Sequence, residues 1–469
     1  MKEFENDIFF CFNNQENILD YKQRLSGKLY VSNSDGIHIE YISIANPINI
    51  LANFSNQQPK PFIVYGQTAD GKKFTAHQSY LNNSNMNFTQ GSLFTQKGEV
   101  LISTLFFGEW LDDIDNIKIN KGRVRFSYLE YWLGLFKVDD NYFEEGKKDF
   151  SVDLEQFNTN LNVEIDNNTM LKTSRSWKQN VEFNKKLIFD VKQYLSYEFS
   201  NSISLKEYNQ LNLKLQNFFR VILPKKDIFI EEQYITVLDK EVEIYSSNKH
   251  YAPEINKVSW GDFLYTYNEN TVNDILINWF NLQGVYGRIF DLLSSILDEK
   301  PFMYLEHSFL NIAQWYEGFC RIKYPTNEDD ITQFKSQIEN IINQISDSND
   351  KELINEITKF SYETPLNKQL KKLFNDFNLK DILSINNSKL DSLIFHISKN
   401  RNKLTHPTED NDINFQQLVY LEEILKCYTF IILIKTLKLN EDSHKVQNIK
   451  DNIKHYYTLF IEIKQEIDK

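Results

Sequence analysis

Arg401, Asn402 and His406 stand together in SKNRNKLTHP, residues 398–407, and their types and spacing could do acid–base chemistry on a phosphate. Imidazole accepts or donates a proton near neutral pH. Guanidinium grips a phosphate with two parallel N–H bonds and stabilises charge building on it. Asn402 adds a neutral donor and acceptor beside them. Such a set can cleave RNA without metal, by activating the 2′-OH and protonating the leaving oxygen. Elsewhere no cluster of Asp and Glu resembles a two-metal nuclease centre. The plain alternative is a helix C-terminus whose basic residues complement the dipole, with a solvent-facing histidine and a proline stop.

The helix that must carry these residues starts near Ser388. Leu390, Leu393, Ile394 and Ile397 form one apolar stripe, and Arg401 lies about 20° from Leu390 around the axis. The arginine therefore points toward the packed face or into a cleft between helices. An unpaired buried guanidinium is costly, so an anion is expected opposite it, either a carboxylate or a ligand phosphate. In a continuous helix His406 would diverge from Arg401 by about 140°. Pro407 disfavours the helical conformation at His406, so the helix is expected to unwind between Leu404 and His406 and swing the imidazole back. Glu317, among Trp315, Tyr316 and Phe319 on a long helix over 303–323, is a candidate for the orienting carboxylate. A surface glutamate beside a bulky face is the alternative there. His396 falls on another face of the 388 helix and reads as structural or exposed. His307 and His455 have no legible partner.

The chain of 469 residues suggests two to four domains, with a globular composition of 41% hydrophobic and 25% charged residues. Its net charge of −13 excludes a uniformly basic nucleic-acid coat but not a local basic groove. Lys389, Lys399, Arg401 and Lys403 against Asp391 make the 388–406 segment locally basic. Cys11, Cys320 and Cys427 are far apart and form no CxxC pair, so neither a zinc knuckle nor a disulfide framework is indicated, and a reducing cytosol is expected. The N-terminus lacks the apolar stretch of a signal peptide. CYTFIILI (427–434) falls well short of the ~20 apolar residues a membrane helix needs. The reading is a cytoplasmic protein with no membrane partner. No Walker A or Rossmann glycine pattern occurs, so no cofactor is expected.

Residues 1 to about 150 read as strands in an antiparallel sheet or sandwich. Hairpins are centred on Asp35-Gly36 and Asp70-Gly71, where glycine accepts positive φ. EVLISTLFF and RVRFSYLEYWLGLF are further strand-like runs. The span to about 300 is mixed. Ser204 and Glu207 make a capping box ahead of a helix, QYITVLDKEVEIYSS returns to strand, and 273–297 is helical. From about 301 onward the chain reads as an antiparallel helical bundle, with NEDD (327–330) and SDSND (346–350) as solvated connectors. The six tryptophans are dispersed and read as core residues. The fold class is therefore α+β, a strand-rich N-terminal domain over 1–298 followed by a helical domain over 299–469.

Arg401, Asn402 and His406 fit, residue by residue, the Arg-x4-6-His motif of the HEPN superfamily, whose arginine is often followed by Asn, Asp or His. With FLNIAQWYEGFCR, SYETPLNKQLKKLF and LINWF, and a strand-rich region ahead of the helical one, the chain resembles the ApeA-like branch. That resemblance implies a HEPN-type bundle and metal-independent endoribonuclease activity in bacterial anti-phage defence by abortive infection. The implied products carry a 2′,3′-cyclic phosphate and a 5′-hydroxyl. It implies Arg401, His406 and Asn402 as catalytic residues; Lys399 and Lys403, from the locally basic segment, are candidates for RNA contacts. HEPN domains pair so that both Arg-His sets line one cleft, which implies a homodimer or a higher even oligomer. The N-terminal domain would then sense a trigger, such as a phage protein, or restrain the nuclease. A non-catalytic interaction protein and a HEPN protein that binds RNA or nucleotide without cutting it remain the other readings. Cys320 departs from the polar residue expected there in the branch.

Overall fold

A computed structural model describes residues 3–13, 15–18, 24–32, 34–44, 61–88, 94–134, 161–182, 186–224, 226–247, 258, 262–297, 303–358, 364–406 and 413–467. Contacts divide the chain into two compact units. The first is Met1–Gln216, Asp227–Trp260 and Thr266–Ile277; the second is Asn217–Lys226, Gly261–Tyr265 and Asn278–Lys469.

The first unit is built on β1 (Phe4–Phe12), β2 (Leu25–Ser32), β3 (Gly36–Ile44), β4 (Phe62–Thr68), β5 (Lys73–Phe88), β6 (Phe94–Phe107), β7 (Ile119–Phe126), β8 (Asn162–Asp166), β9 (Thr169–Glu182), β10 (Lys186–Ile203), β11 (Ile230–Val237) and β12 (Lys240–Ser246). All neighbours pair antiparallel, in the order β3-β2-β1-β4-β5-β6-β12-β11-β7-β10-β9-β8. The expected antiparallel sheet is thus present, with a closure that alternation alone does not reveal. Thr95–Leu101 of β6 pair with Ile44–His38 of β3, which closes six strands into a barrel. Thr104–Phe107, further along β6, pair instead with Ser246–Glu243 of β12 and start the open remainder of the sheet. Closure removes the exposed edges that a long strand like β6 would present.

The barrel interior follows from alternation with period two. Ile8, Phe10, Leu29, Val31, Ile37, Ile39, Phe74 and Val100 belong to one buried cluster. Both expected hairpins form, with Gly36 at φ 77° and Gly71 at φ 90°. Gly66 serves a different purpose: a Cβ there would sit 1.9 Å from the Phe74 ring, so the ring lies directly on the backbone. In the open part of the sheet, Tyr208 of α2 (Leu205–Ile222) does the same over Gly122, and its hydroxyl donates to the carbonyls of Arg123 and Tyr234 at 3.1 and 3.0 Å. The capping box ahead of α2 is formed, with the backbone N–H of Ser204 donating to Glu207 at 2.8 Å and that of Glu207 to Ser204 Oγ at 3.3 Å.

The strand expected through RVRFSYLEYWLGLF ends at Phe126. Tyr128 turns to φ 67°, and Leu129–Leu133 form the short helix α1, closed by Gly134 at φ 76°. Burial of Leu129, Trp132 and Leu133, together with an Arg125 Nε bond to Glu130 at 2.8 Å, favours that turn over continued pairing. Trp132, Trp279 and Trp315 are core residues as expected; Trp177 is instead 51% exposed, and Trp260 lies outside the described residues.

The second unit is helical. The stretch over 273–297 is broken by Gly287, at φ 50°, into α3 (Val272–Tyr286), α4 (Arg288–Asp291) and α5 (Leu293–Leu297). There follow α6 (Leu305–Lys323), α7 (Glu328–Gln344), α8 (Ser348–Thr358), α9 (Leu366–Asp376), α10 (Leu379–Leu383), α11 (Asn387–Thr405), α12 (Phe415–Leu437) and α13 (His444–Ile467). The expected connectors NEDD and SDSND are largely the first turns of α7 and α8. Asn327 and Asp347 cap them, accepting from Asp329 and Asn349 N–H at 3.2 and 2.7 Å, and the acidic residues suit the positive end of each helix. CYTFIILI is the buried middle of α12, which packs on α6 and α13. No described helix is long and apolar enough to cross a membrane.

Two outcomes test this picture. Gly66→Ala must push the Phe74 ring off its seat, so the barrel should lose about 1–3 kcal/mol in chemical denaturation. Glu109 contributes to acid sensitivity. Burial alone would raise its carboxyl, but hydrogen bonds from Lys240, from Lys73 at 2.6 Å and from the Trp110 N–H at 3.1 Å lower it to about 2. A depressed carboxyl stabilises the fold above its unfolded value and loses that contribution as pH falls toward about 2. Melting temperature should therefore drop between about pH 5 and 2, and Glu109→Gln should flatten that drop.

Candidate active site

The corner where α6 meets α11 holds most of the reactive side chains. Asn386 starts α11 by accepting the Lys389 N–H at 2.9 Å. Leu390, Leu393, Ile394 and Ile397 are buried, so the apolar stripe seats the helix. Arg401 continues that stripe to its rim and is 25% exposed on its side chain. Its Nη2 donates to Glu317 Oε2 at 2.7 Å, and its Nη1 donates to Asn402 Oδ1 at 3.1 Å. The anion facing the arginine is thus a carboxylate of α6, itself 19% exposed.

Glu317 is shared. Its other oxygen, Oε1, accepts from Arg321 Nη2 at 3.0 Å, one turn along α6. Sequence reading passed over Arg321, although an arginine four residues after a glutamate is a helix-pair signal. Two guanidinium groups therefore converge on one carboxylate, and the corner carries excess positive charge. Two of the Arg401 N–H groups are occupied by Glu317 and Asn402. The fork is held in orientation, and its partial exposure leaves it open to a second anion.

The end of α11 sets His406. Helical geometry persists through Thr405, whose hydroxyl donates to the carbonyls of Arg401 and Asn402 at 3.0 and 3.1 Å. His406 then leaves the helix at φ −129°, ψ 71°, with its N–H still bonded to the Asn402 carbonyl at 3.0 Å. His406 is exposed at the helix end, five residues beyond Arg401. Pro407, to which the sequence reading assigned the stop, lies outside the described residues.

Other residues fall away from this corner. Lys399 lies over the Phe395 ring at 5.9 Å on the exposed face of α11. His396 packs edge-on against Phe460 of α13, with ring centroids 5.4 Å apart. His307 and His455 rest against Tyr304 and Tyr456. Cys320 is fully buried behind the corner, and burial pushes its thiol up to about 12. Asn400, also unforeseen, is buried and ties α11 to itself through the His396 carbonyl at 2.9 Å. Among the described residues no three His, Cys, Asp or Glu side chains are grouped to hold a metal ion.

Comparison with known families matches two stretches. Residues 9–279 match the family described as ApeA N-terminal domain 1. Residues 310–443 match Apea-like HEPN, a span that contains Glu317, Arg401, Asn402 and His406. No curated protein and no solved structure matches the chain.

The Glu317 clamp yields a stability prediction. Glu317→Ala removes the common acceptor of Arg321 and Arg401 and should cost roughly 1 kcal/mol. The loss should shrink in high salt as screening weakens the native pair, as read by urea denaturation across salt concentrations.

Proposed function

Because the chain belongs to the family of ApeA-like HEPN proteins, we propose that it is a metal-independent RNA endonuclease of anti-phage defence. Its strand-rich N-terminal domain senses a trigger or restrains the nuclease. The observation that carries this reading is the corner itself. A clamped, partly exposed Arg401 guanidinium and an exposed His406, five residues on, share the end of one helix.

The chemistry follows from those groups. The Arg401 fork binds the scissile phosphate, oriented by Glu317 and Asn402. An imidazole takes the 2′-OH proton, and the 2′-oxygen attacks phosphorus. The bond from phosphorus to the 5′-oxygen breaks, and that oxygen takes a proton from an acid. The products are a 2′,3′-cyclic phosphate and a 5′-hydroxyl. In-line displacement places base and acid on opposite sides of phosphorus. One His406 cannot serve both roles at once, so two chains pairing their α11 ends would supply one imidazole to each side. Lys399 and Lys403 supply charge along the flanking backbone.

A second reading has an observation in its favour. Glu317 already satisfies Arg401, and such a pair can be an assembly or RNA-holding element with no cleavage. One experiment separates the two. Wild type, Arg401→Ala and His406→Ala are each incubated with RNA in EDTA, and host toxicity on overexpression is scored for a trigger-dependent enzyme. Cleavage or toxicity should belong to wild type alone, persist under chelation, and fall by at least about a hundredfold in both variants. Equal behaviour of all three proteins, with and without infection, favours the non-cutting reading.

A further inference from the structure

The helical pair α7 and α8 is a 31-residue stretch, Glu328–Thr358, between α6 and α9. No described side chain in either helix is buried. Yet α7 is patterned for burial: Ile331, Phe334, Ile338 and Ile341, followed by the C-cap Ile345, recur at alternating spacings of three and four residues, the pattern of a helix-packing seam. Ile341 is 47%, Leu353 54% and Ile357 65% exposed. Helices of 17 and 11 residues are marginal in water without a packed face. The pair also holds eight acidic and two basic residues, a net charge of −6.

The same unit presents the opposite surface. Lys368, Lys371 and Lys372 share one exposed face of α9, opposite the buried Leu370, Leu373 and Phe374. That face adjoins the last turn of α6, where Lys372 lies 4.4 Å from the Tyr324 ring and Tyr324 donates to Asp376 at 2.5 Å. Arg321 and Lys323 are exposed there, with Ile322 38% exposed between them. Three local carboxylates are already engaged: Asp391 with Lys371 at 2.8 Å, Asp376 with Tyr324, and Glu317 with Arg321 and Arg401.

We propose that the acidic, apolar arm formed by α7 and α8 docks on the Lys368–Lys372 face of a second copy of this chain. Charge complementarity selects the occupant. Two arms would repel each other, and RNA would be repelled by either arm. Within one chain Ile331, Phe334, Ile338 and Ile345 are partly covered while Ile341, Leu353 and Ile357 stay exposed, which leaves an apolar face for a second chain. Two-fold symmetry then forms the contact twice, arm to face and face to arm. Each docked arm lies beside Arg321, and so beside the Glu317 clamp. The inference stands on burial and charge, and holds whether or not the corner cuts RNA.

Sedimentation of the full chain tests it. Ile341→Asp with Leu353→Asp removes the seam; Glu352→Lys with Glu356→Lys reverses the arm; Lys368→Glu with Lys372→Glu reverses the face. All six positions are outside the candidate catalytic set and none is buried. Wild type should self-associate, more weakly as salt rises, and each variant should weaken association by at least about tenfold. Mixing the reversed-arm chain with the reversed-face chain should restore it. A wild type that stays monomeric overturns the proposal and leaves a foreign cationic protein as the occupant. Variants that associate as tightly as wild type, or a mixture without rescue, overturn it as well. Arg401→Ala separates the two readings, since it should abolish cleavage and leave association intact.

Discussion

The pair between Glu317 and Arg401 is the constraint around which the helical unit is arranged. A guanidinium at the rim of an apolar stripe is tolerated only if its charge is met. Meeting it requires α6 and α11 to pack with Glu317 at hydrogen-bond distance, 2.7 Å from Arg401. That packing is supplied from below by Trp315, Tyr316 and Phe319 on α6 and by Leu390, Leu393 and Ile397 on α11, all buried. Tyr316 in turn fixes α6 to α12 by donating to the Leu425 carbonyl at 2.9 Å. The ion pair therefore adds little stability of its own but selects the packing of α6 on α11 in which its charges meet, and it leaves a pre-oriented cation at the surface. Sharing Glu317 with Arg321 keeps the corner net positive, which a one-to-one pair would have cancelled.

The strand-rich unit obeys a different constraint. Long antiparallel strands leave edges, and β6 has one partner too few unless the sheet closes. It resolves this by giving half its length to β3 and half to β12. Beyond the barrel, charges are drawn under the sheet's polar face. Arg125 bonds Glu130 at 2.8 Å and reaches Glu231, while Tyr194 donates to Glu232 at 2.6 Å. Burial raises the Glu231 carboxyl against the pull of Arg125. Such a network ties β7, β10 and β11 to the short helix α1 and rewards a single register, because a slip by one residue would bury these charges unpaired.

Much of this was legible in the chain. Period-two alternation with Asp-Gly turns marks β2 through β5, and helical spacing marks α6, α11, α12 and α13, because local patterning follows from the geometry of each element. The candidate site was legible for a related reason: Arg401 breaks an apolar stripe with a charge, and an exception to a pattern stands out. The misreadings have local causes too. LEYWL has aromatic, strand-like residues yet turns helical, because Trp132 and Leu133 gain more from burial than from pairing. The acidic starts of α7 and α8 read as connectors, because helix-capping residues and loop residues are the same types.

By itself the sequence determined the hairpin strands β2 to β5 and the long helices of the C-terminal region, which faces of those are apolar, and that Arg401, Asn402 and His406 stand near one helix end, while β8, β9 and β10 went unread. These depend on residues a few positions apart, where spacing and backbone geometry suffice. Only the tertiary structure decided that six strands close, that Glu317 and not some other carboxylate meets Arg401, that Arg321 shares it, and that the seam of α7 is only partly covered. Each of these joins residues far apart in the chain. Such contacts are settled by the packing of whole elements, which no local pattern encodes.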